Sequence, residues 1–164
     1  MTDDEILTAA RAYRDRFSGS SLAAAPRRQL AVVACMDARL DLFGMLGLAV
    51  GDAHILRTAG GTVTDDVIRS LVLSQRALGT RQTILVHHTD CGMQKVDDGS
   101  LLADLERETG QRPDWQPGGF SDPFADVRTS LERLAACPWL VSKSARGFVF
   151  DVATGELIEV TEGS

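Results

Sequence analysis

Two apolar runs constrain this chain more than anything else in it. They are Leu30-Ala31-Val32-Val33-Ala34 and Thr83-Ile84-Leu85-Val86, both of strand length. The first is apolar on both faces, which is the pattern of a buried strand in a parallel sheet. Each run ends in residues that carry chemistry: Cys35-Met36-Asp37-Ala38-Arg39 follows the first, and His87-His88-Thr89-Asp90-Cys91 closes the second. In extended backbone, residues two apart face the same side. Cys35, Asp37 and Arg39 are therefore expected to converge beyond the strand end.

The rest of the chain supplies the elements around these strands. Ile6, Ala9, Ala10, Tyr13 and Phe17 fall at helical spacing over 3–17, and Ser18-Gly19-Ser20-Ser21 stops that helix. A linker with Pro26 leads to the strand at 30–35. A short helix over 40–46 ends near Gly44 or Gly47, and a second strand spans 53–57, followed by the loop Thr58-Ala59-Gly60-Gly61. Thr64 is a natural N-cap for the clearest helix, with Asp65 and Asp66 complementing its dipole and Gly79 as its stop. The third strand is 83–88. A helical segment over 101–108 ends at Gly110, and 111–121 is a loop. Asp122-Pro123 then starts a helix whose inner face is Phe124, Val127, Leu131 and Leu134. Strands at 147–152 and 156–160, joined at Ala153-Thr154-Gly155, read as a hairpin. This alternation indicates an α/β fold, a mostly parallel sheet flanked by helices with an antiparallel strand at the end. Ligands in such sheets bind beyond the C-terminal strand ends, where Cys35, Arg57 and His88 all fall.

The residue types at those ends suit a metal. Zinc takes thiolate and imidazole ligands in a tetrahedron, and Cys35, His88 and Cys91 supply three. Three protein ligands leave a fourth position open, as in catalytic rather than structural sites. The competing reading is that both cysteines are buried as small hydrophobes. Three cysteines in all, an odd number, do not read as a disulfide framework.

Cys35-Met36-Asp37-Ala38-Arg39, followed about fifty residues later by His88-Thr89-Asp90-Cys91-Gly92, resembles the β-class carbonic anhydrases. Arg57-Thr58-Ala59-Gly60-Gly61 is similar to that family's Arg-Asn-Ala-Gly loop. The resemblance covers roughly 30–160 and is to a compact bacterial subgroup. His87 stands where the family commonly has glycine, and Thr58 where it has asparagine. The resemblance implies a sheet of four parallel strands and a fifth antiparallel one. It also implies a single domain over 1–164, with 1–29 as an N-terminal helical arm. The implied activity is zinc-dependent reversible hydration of CO2 to bicarbonate and a proton, by zinc-bound hydroxide. The implied assembly is a homodimer or homotetramer with active sites near the subunit interface.

The same residues carry a mechanism. Two thiolates cancel the charge of Zn²⁺, so bound water is acidified less than by a three-imidazole site. Arg39 can hold Asp37 through a two-pronged hydrogen bond. Asp37 can then accept the hydroxide's proton and orient its lone pair at CO2. Released from Arg39, Asp37 can instead fill the fourth zinc position; the family shows both arrangements. Gly60, Gly61 and Gly92 are candidate pocket residues, and Gly60-Gly61 could equally be only a tight turn. His87 is expected on the opposite face from His88, hydrogen-bonded under a helix. His54 and Cys137 are expected to be structural. The Trp115 loop reads as packed surface, with a lid as the alternative.

Two rivals remain open. One is a hydrolase of carbonyl sulfide or carbon disulfide using the same zinc hydroxide. The other is a non-catalytic zinc-binding regulator in which Asp37 closes the fourth position. A net charge of -6 argues against nucleic acid and against an anionic membrane surface as partners. No apolar run approaches the roughly 20 residues that span a bilayer. The acidic start Met1-Thr2-Asp3-Asp4-Glu5 resembles neither a signal nor a transit peptide, so the expected compartment is the cytoplasm.

Overall fold

The computed structural model describes residues 2–161. Its elements are α1 (Asp3–Arg14), β1 (Leu30–Cys35), α2 (Leu42–Leu46), β2 (Ala53–Thr58), α3 (Asp65–Leu78), β3 (Gln82–His88), α4 (Asp98–Thr109), α5 (Pro123–Ala136), β4 (Ala145–Phe150) and β5 (Leu157–Val160). The five strands form one sheet in the order β2-β1-β3-β4-β5. β1 pairs parallel with β2 and with β3, β3 pairs parallel with β4, and β5 returns antiparallel to β4. The chain thus winds one way from β1 to β2 and the other way from β3 to β4. The crevice between the ends of β1 and β3 is the topological switch point, where such sheets place ligands.

β1 is buried along its whole length, as its sequence requires. Ala31 and Val33 point into one apolar layer with Val67, Leu71, Leu85 and Leu134. Leu30, Val32 and Ala34 point into the other, with Leu40, Leu42 and Val86. The sheet is therefore apolar on both sides at its centre, and its central strands cannot slip by one residue without exposing one layer.

The helix ends follow local chemistry. The Thr64 hydroxyl accepts from Val67 N–H, and Gly79 closes α3 in the left-handed conformation. The Asp122 carboxylate caps α5, with Pro123 in its first turn. Of the two glycines expected to end α2, Gly47 does so, with φ of 59°. α4 begins at Asp98, three residues earlier than its periodicity suggests, because the Asp97 carboxylate accepts from Ser100 N–H. The hairpin strands are Ala145–Phe150 and Leu157–Val160, with Asp151 accepting from Ala153 and Thr154 N–H in the turn.

α1 differs most from expectation. It stops at Arg14, and its periodic face is not covered: Ile6, Tyr13 and Phe17 are half-exposed. The linker after it is pinned at Asp52, whose buried carboxylate takes Arg27, Arg28 and the Ala49 N–H. Among the described residues, no helix is long and apolar enough to cross a membrane.

Candidate metal centre

Cys35 is the last residue of β1 and His88 the last of β3, so adjacent parallel strands deliver both to one end of the sheet. Cys91 follows three residues later, at the head of a 3₁₀ turn over Gly92–Lys95. The donor atoms of the three residues lie within 4.8 Å of one another, and all three side chains are buried. The two sulfurs are 3.9 Å apart and both thiols are free. The His88 Nδ1–H donates to the Thr89 carbonyl at 2.9 Å, which leaves Nε2 as the lone-pair nitrogen. That Nε2 is buried and has no hydrogen-bond partner. A buried acceptor without a partner costs free energy unless something fills the role. Two thiols and a lone-pair nitrogen around one point are a donor set that fits a soft or borderline cation such as zinc.

The ionisation of the pair of thiols is asymmetric. Burial raises the Cys35 thiol, but the neighbouring His88 ring and the backbone at Asp37 outweigh it, and the net direction is down. Burial lowers the His88 imidazolium, yet the Cys35 sulfur and the Thr89 carbonyl carry it upward overall. The Cys91 thiol is pushed up to about 11, first by burial and then by the Cys35 sulfur beside it.

Asp37 and Arg39 lie over this cluster. Arg39 Nε donates to Asp37 Oδ1 at 2.9 Å and Nη2 donates to Oδ2 at 2.8 Å, with the Arg39 backbone N–H adding a third bond. This side-chain pairing holds the Asp37 carboxyl far below the usual carboxylate range. Asp37 Oδ2 is 3.7 Å from His88 Nε2, so the carboxylate stands beside the Cys35–His88–Cys91 cluster while paired with arginine.

Three further residues support this arrangement, and two of them, Arg57 and Asp90, lie within the motifs that carry the family resemblance. The other edge of Arg39 is held by Asp90, through its carboxylate at 3.0 Å and its carbonyl at 2.9 Å. Asp90 itself has φ of 51°, an uncommon conformation that aspartate tolerates better than most residues. Arg57 turns back from β2 and donates to the carbonyls of Cys35, Asp37 and Leu40, stapling the loop that carries the dyad. Gln94 bonds the Cys91 backbone. Gln94 lies outside those motifs, and a signal for it is the spacing Cys91-x-x-Gln94, that of a capping box with sulfur in place of the hydroxyl.

The pocket glycines separate into two kinds. A Cβ on Gly61 would lie 2.9 Å from the Cys35 nitrogen and 3.1 Å from the Val86 oxygen, and φ is 78°, so only glycine fits between the two central strands. A Cβ on Gly60 would press on the Phe120 ring at 2.8 Å. At Gly92 a Cβ would meet nothing within 4 Å, so nothing nearby demands glycine there.

His87 faces away from the cluster, fully buried, with Nε2 2.7 Å from Asp126 of α5. His54 bonds Ser74 and the Ala24 carbonyl, and Cys137 is buried at the end of α5. Trp115 is 53% exposed, on a loop anchored instead by Asp98, which accepts from Gly118 and Gly119 N–H.

Comparison with known proteins agrees with this geometry. Residues 30–113 match the family model described as carbonic anhydrase. The chain is 53% identical over 150 residues to Beta-carbonic anhydrase 1 of Mycobacterium tuberculosis, 91% of each chain. The crystal structure of carbonic anhydrase from Streptococcus mutans superposes with a TM-score of 0.89 at 40% identity, covering 98% of this chain and 99% of that one. A carbon disulfide hydrolase of Acidithiobacillus thiooxidans is 50% identical over 93 residues, but these are 53% of this chain and 42% of that one. Sequence and fold together make this chain a member of the β-carbonic anhydrase family.

Proposed function

We propose that this chain catalyses the reversible hydration of CO2 to bicarbonate and a proton, with zinc held by Cys35, His88 and Cys91. The observation that carries this reading is the buried, partnerless Nε2 of His88, facing two thiols beside the Asp37–Arg39 pair. Zinc, when bound, would supply a Lewis acid that lowers the pKa of water so that it can act as a nucleophile. The protein's residues supply the rest. Cys35 and Cys91, as thiolates, and the neutral His88 imidazole would hold the cation, and the two thiolates would cancel its charge. Arg39 keeps Asp37 ionised, so Oδ2 remains an acceptor. From there it takes a hydrogen bond from the attacking water and turns a lone pair toward the carbon of CO2. Arg39 also keeps that carboxylate from turning onto the cation, with Asp90 holding the guanidinium in place. The burial of the cluster keeps bulk water from competing with these contacts.

The near full-length identity with a β-carbonic anhydrase supports CO2 as the substrate. The local match to a carbon disulfide hydrolase supports a second reading, hydrolysis of carbon disulfide or carbonyl sulfide at the same centre. Initial rates of CO2 hydration by the zinc-loaded chain, run beside a sulfide-release assay, separate them. CO2 hydration far above the buffer rate is expected. Sulfide release without it would replace the first reading by the second, and neither activity would favour a non-catalytic zinc protein. We also propose that the chain acts as a homodimer or homotetramer in the cytoplasm. The uncovered apolar face of α1 supports the assembly.

A further inference from the structure

Cys35 and His88 are fixed by the sheet, each as the last rung of a central strand. Cys91 is not. It lies beyond β3, after Asp90 in its left-handed conformation, on a turn that no strand holds. Arg39 holds Asp90 on the N-terminal side of Cys91, and the rest of its position must come from the C-terminal side.

On that side the contacts are those of Gln94. The Gln94 Oε1 accepts from the Cys91 N–H at 2.9 Å. Its Nε2 donates to the Ser121 carbonyl at 3.1 Å. The turn has the reciprocal arrangement of a capping box, with Cys91 in the N-cap position and Gln94 reaching back to it. The 118–121 segment is tied to the same turn, because Phe120 N–H donates to the Met93 carbonyl and Asp98 accepts from Gly118 and Gly119. One amide side chain thus joins the backbone of Cys91 to the strap that leads into α5.

We propose that Gln94 is a positioning residue for the metal centre: its amide fixes Cys91 against the 118–121 strap and so sets how firmly the ion is held. This rests on the reading of Cys35, His88 and Cys91 as zinc ligands. Partners of this kind orient metal ligands, and their loss typically weakens metal affinity by about 10-fold to 100-fold.

The experiment measures zinc release from the loaded full-length chain to an excess of chromophoric chelator. Gln94→Leu, which removes both bonds, is expected to speed release by about ten-fold or more. Gln94→Glu keeps an acceptor for the Cys91 N–H but loses the donor to Ser121, so its release should fall between the parent and Gln94→Leu. The control is Gln75→Leu. Gln75 also bridges backbone, accepting from Val141 and Ser142 N–H and donating to the Ser142 carbonyl, but it does so far from the cluster. Gln75→Leu should lower the melting temperature and leave release unchanged. Should leucine not fold at 94, Gln94→Ala replaces it in the same comparison. The proposal is overturned if the Gln94 variants release zinc at the parent rate, or if Gln75→Leu speeds release as much. Release from Gln94→Glu as fast as from Gln94→Leu would overturn the Cys91 bond as the origin. A parent chain that takes up no zinc would instead overturn the metal-centre reading itself, and this inference with it.

Discussion

Arg39 grips both oxygens of the Asp37 carboxylate, at 2.9 and 2.8 Å, while that carboxylate lies 3.7 Å from the lone-pair nitrogen of His88. The acid is thus within reach of the Cys35–His88–Cys91 cluster and is kept from it by a neighbour two residues away. Loss of either partner should have different consequences. Arg39→Ala frees Asp37 to occupy the cation, so kcat/KM for CO2 hydration should fall by ~10²-fold or more with zinc retained. Asp37→Ala should also lower the rate, through lost orientation of water and without a carboxylate block. The parent rate should rise with pH through the alkaline side of neutrality, because two thiolates leave the cation little residual charge. A profile flat from about pH 6 to 9, or unchanged rates in Arg39→Ala, would show that this gate is absent.

Metal analysis should find one zinc per chain. Cys91→Ser should lose most of it, since a neutral hydroxyl replaces a thiolate ligand. Cys137→Ser should lose none, because Cys137 is buried at the end of α5 and outside the cluster. Full zinc in Cys91→Ser would remove Cys91 from the ligand set.

Zinc affinity should rise with pH. Cations bind the thiolate, and the Cys91 thiol sits at about 11 when no cation is present, so binding below that pH displaces its proton. One proton released corresponds to about ten-fold in apparent affinity per pH unit. His88, raised above its ordinary value, adds a second proton on the acid side and steepens the dependence there. Chelator competition across about pH 6 to 9 measures the slope. A pH-independent affinity would mean that neither group titrates on binding.

Gly61→Ala should destabilise the fold by roughly 1–3 kcal/mol from the left-handed backbone alone, with the contacts to Cys35 and Val86 adding to it. Gly92→Ala, with open space around its Cβ, should cost far less. Urea unfolding of the two variants makes the comparison. Equal losses would contradict the close approach of the Gly61 backbone to both central strands.

Sedimentation at micromolar concentration should give a dimer or larger species. Ile6, Leu7, Tyr13 and Phe17 are 49%, 52%, 50% and 50% exposed, a row of large apolar groups that a monomer leaves in water. An active monomer would show that this face needs no partner.

Local signals carried most of the fold. β1 reads directly because six consecutive buried positions leave an apolar run that needs no periodicity argument. α3 reads from both ends, through Thr64 and Gly79. The start of α4 was obscured because Asp98-Gly99-Ser100 looks like loop, while the Asp97 cap that overrides it acts through a side-chain bond. α1 misled in another way: helical spacing marks an apolar face but not whether anything covers it. At the site, the cluster residues were legible from type and spacing. The residues that steady them were legible only as members of the 57–61 and 88–92 motifs and not in their roles, because Arg57 works on carbonyl oxygens and Asp90 through an unusual φ.

β1 and β3 are neighbours in the sheet, yet β2 and α3 separate them along the chain. During synthesis the ribosome therefore delivers Cys35 well before His88 and Cys91. Until then the nascent chain offers the Cys35 thiol without the His88 nitrogen or the Cys91 thiol. The strands have to be drawn together by their apolar layers before any grip on an ion exists. A complete donor set therefore exists only once the chain has been made past Cys91 and β1 has paired with β3.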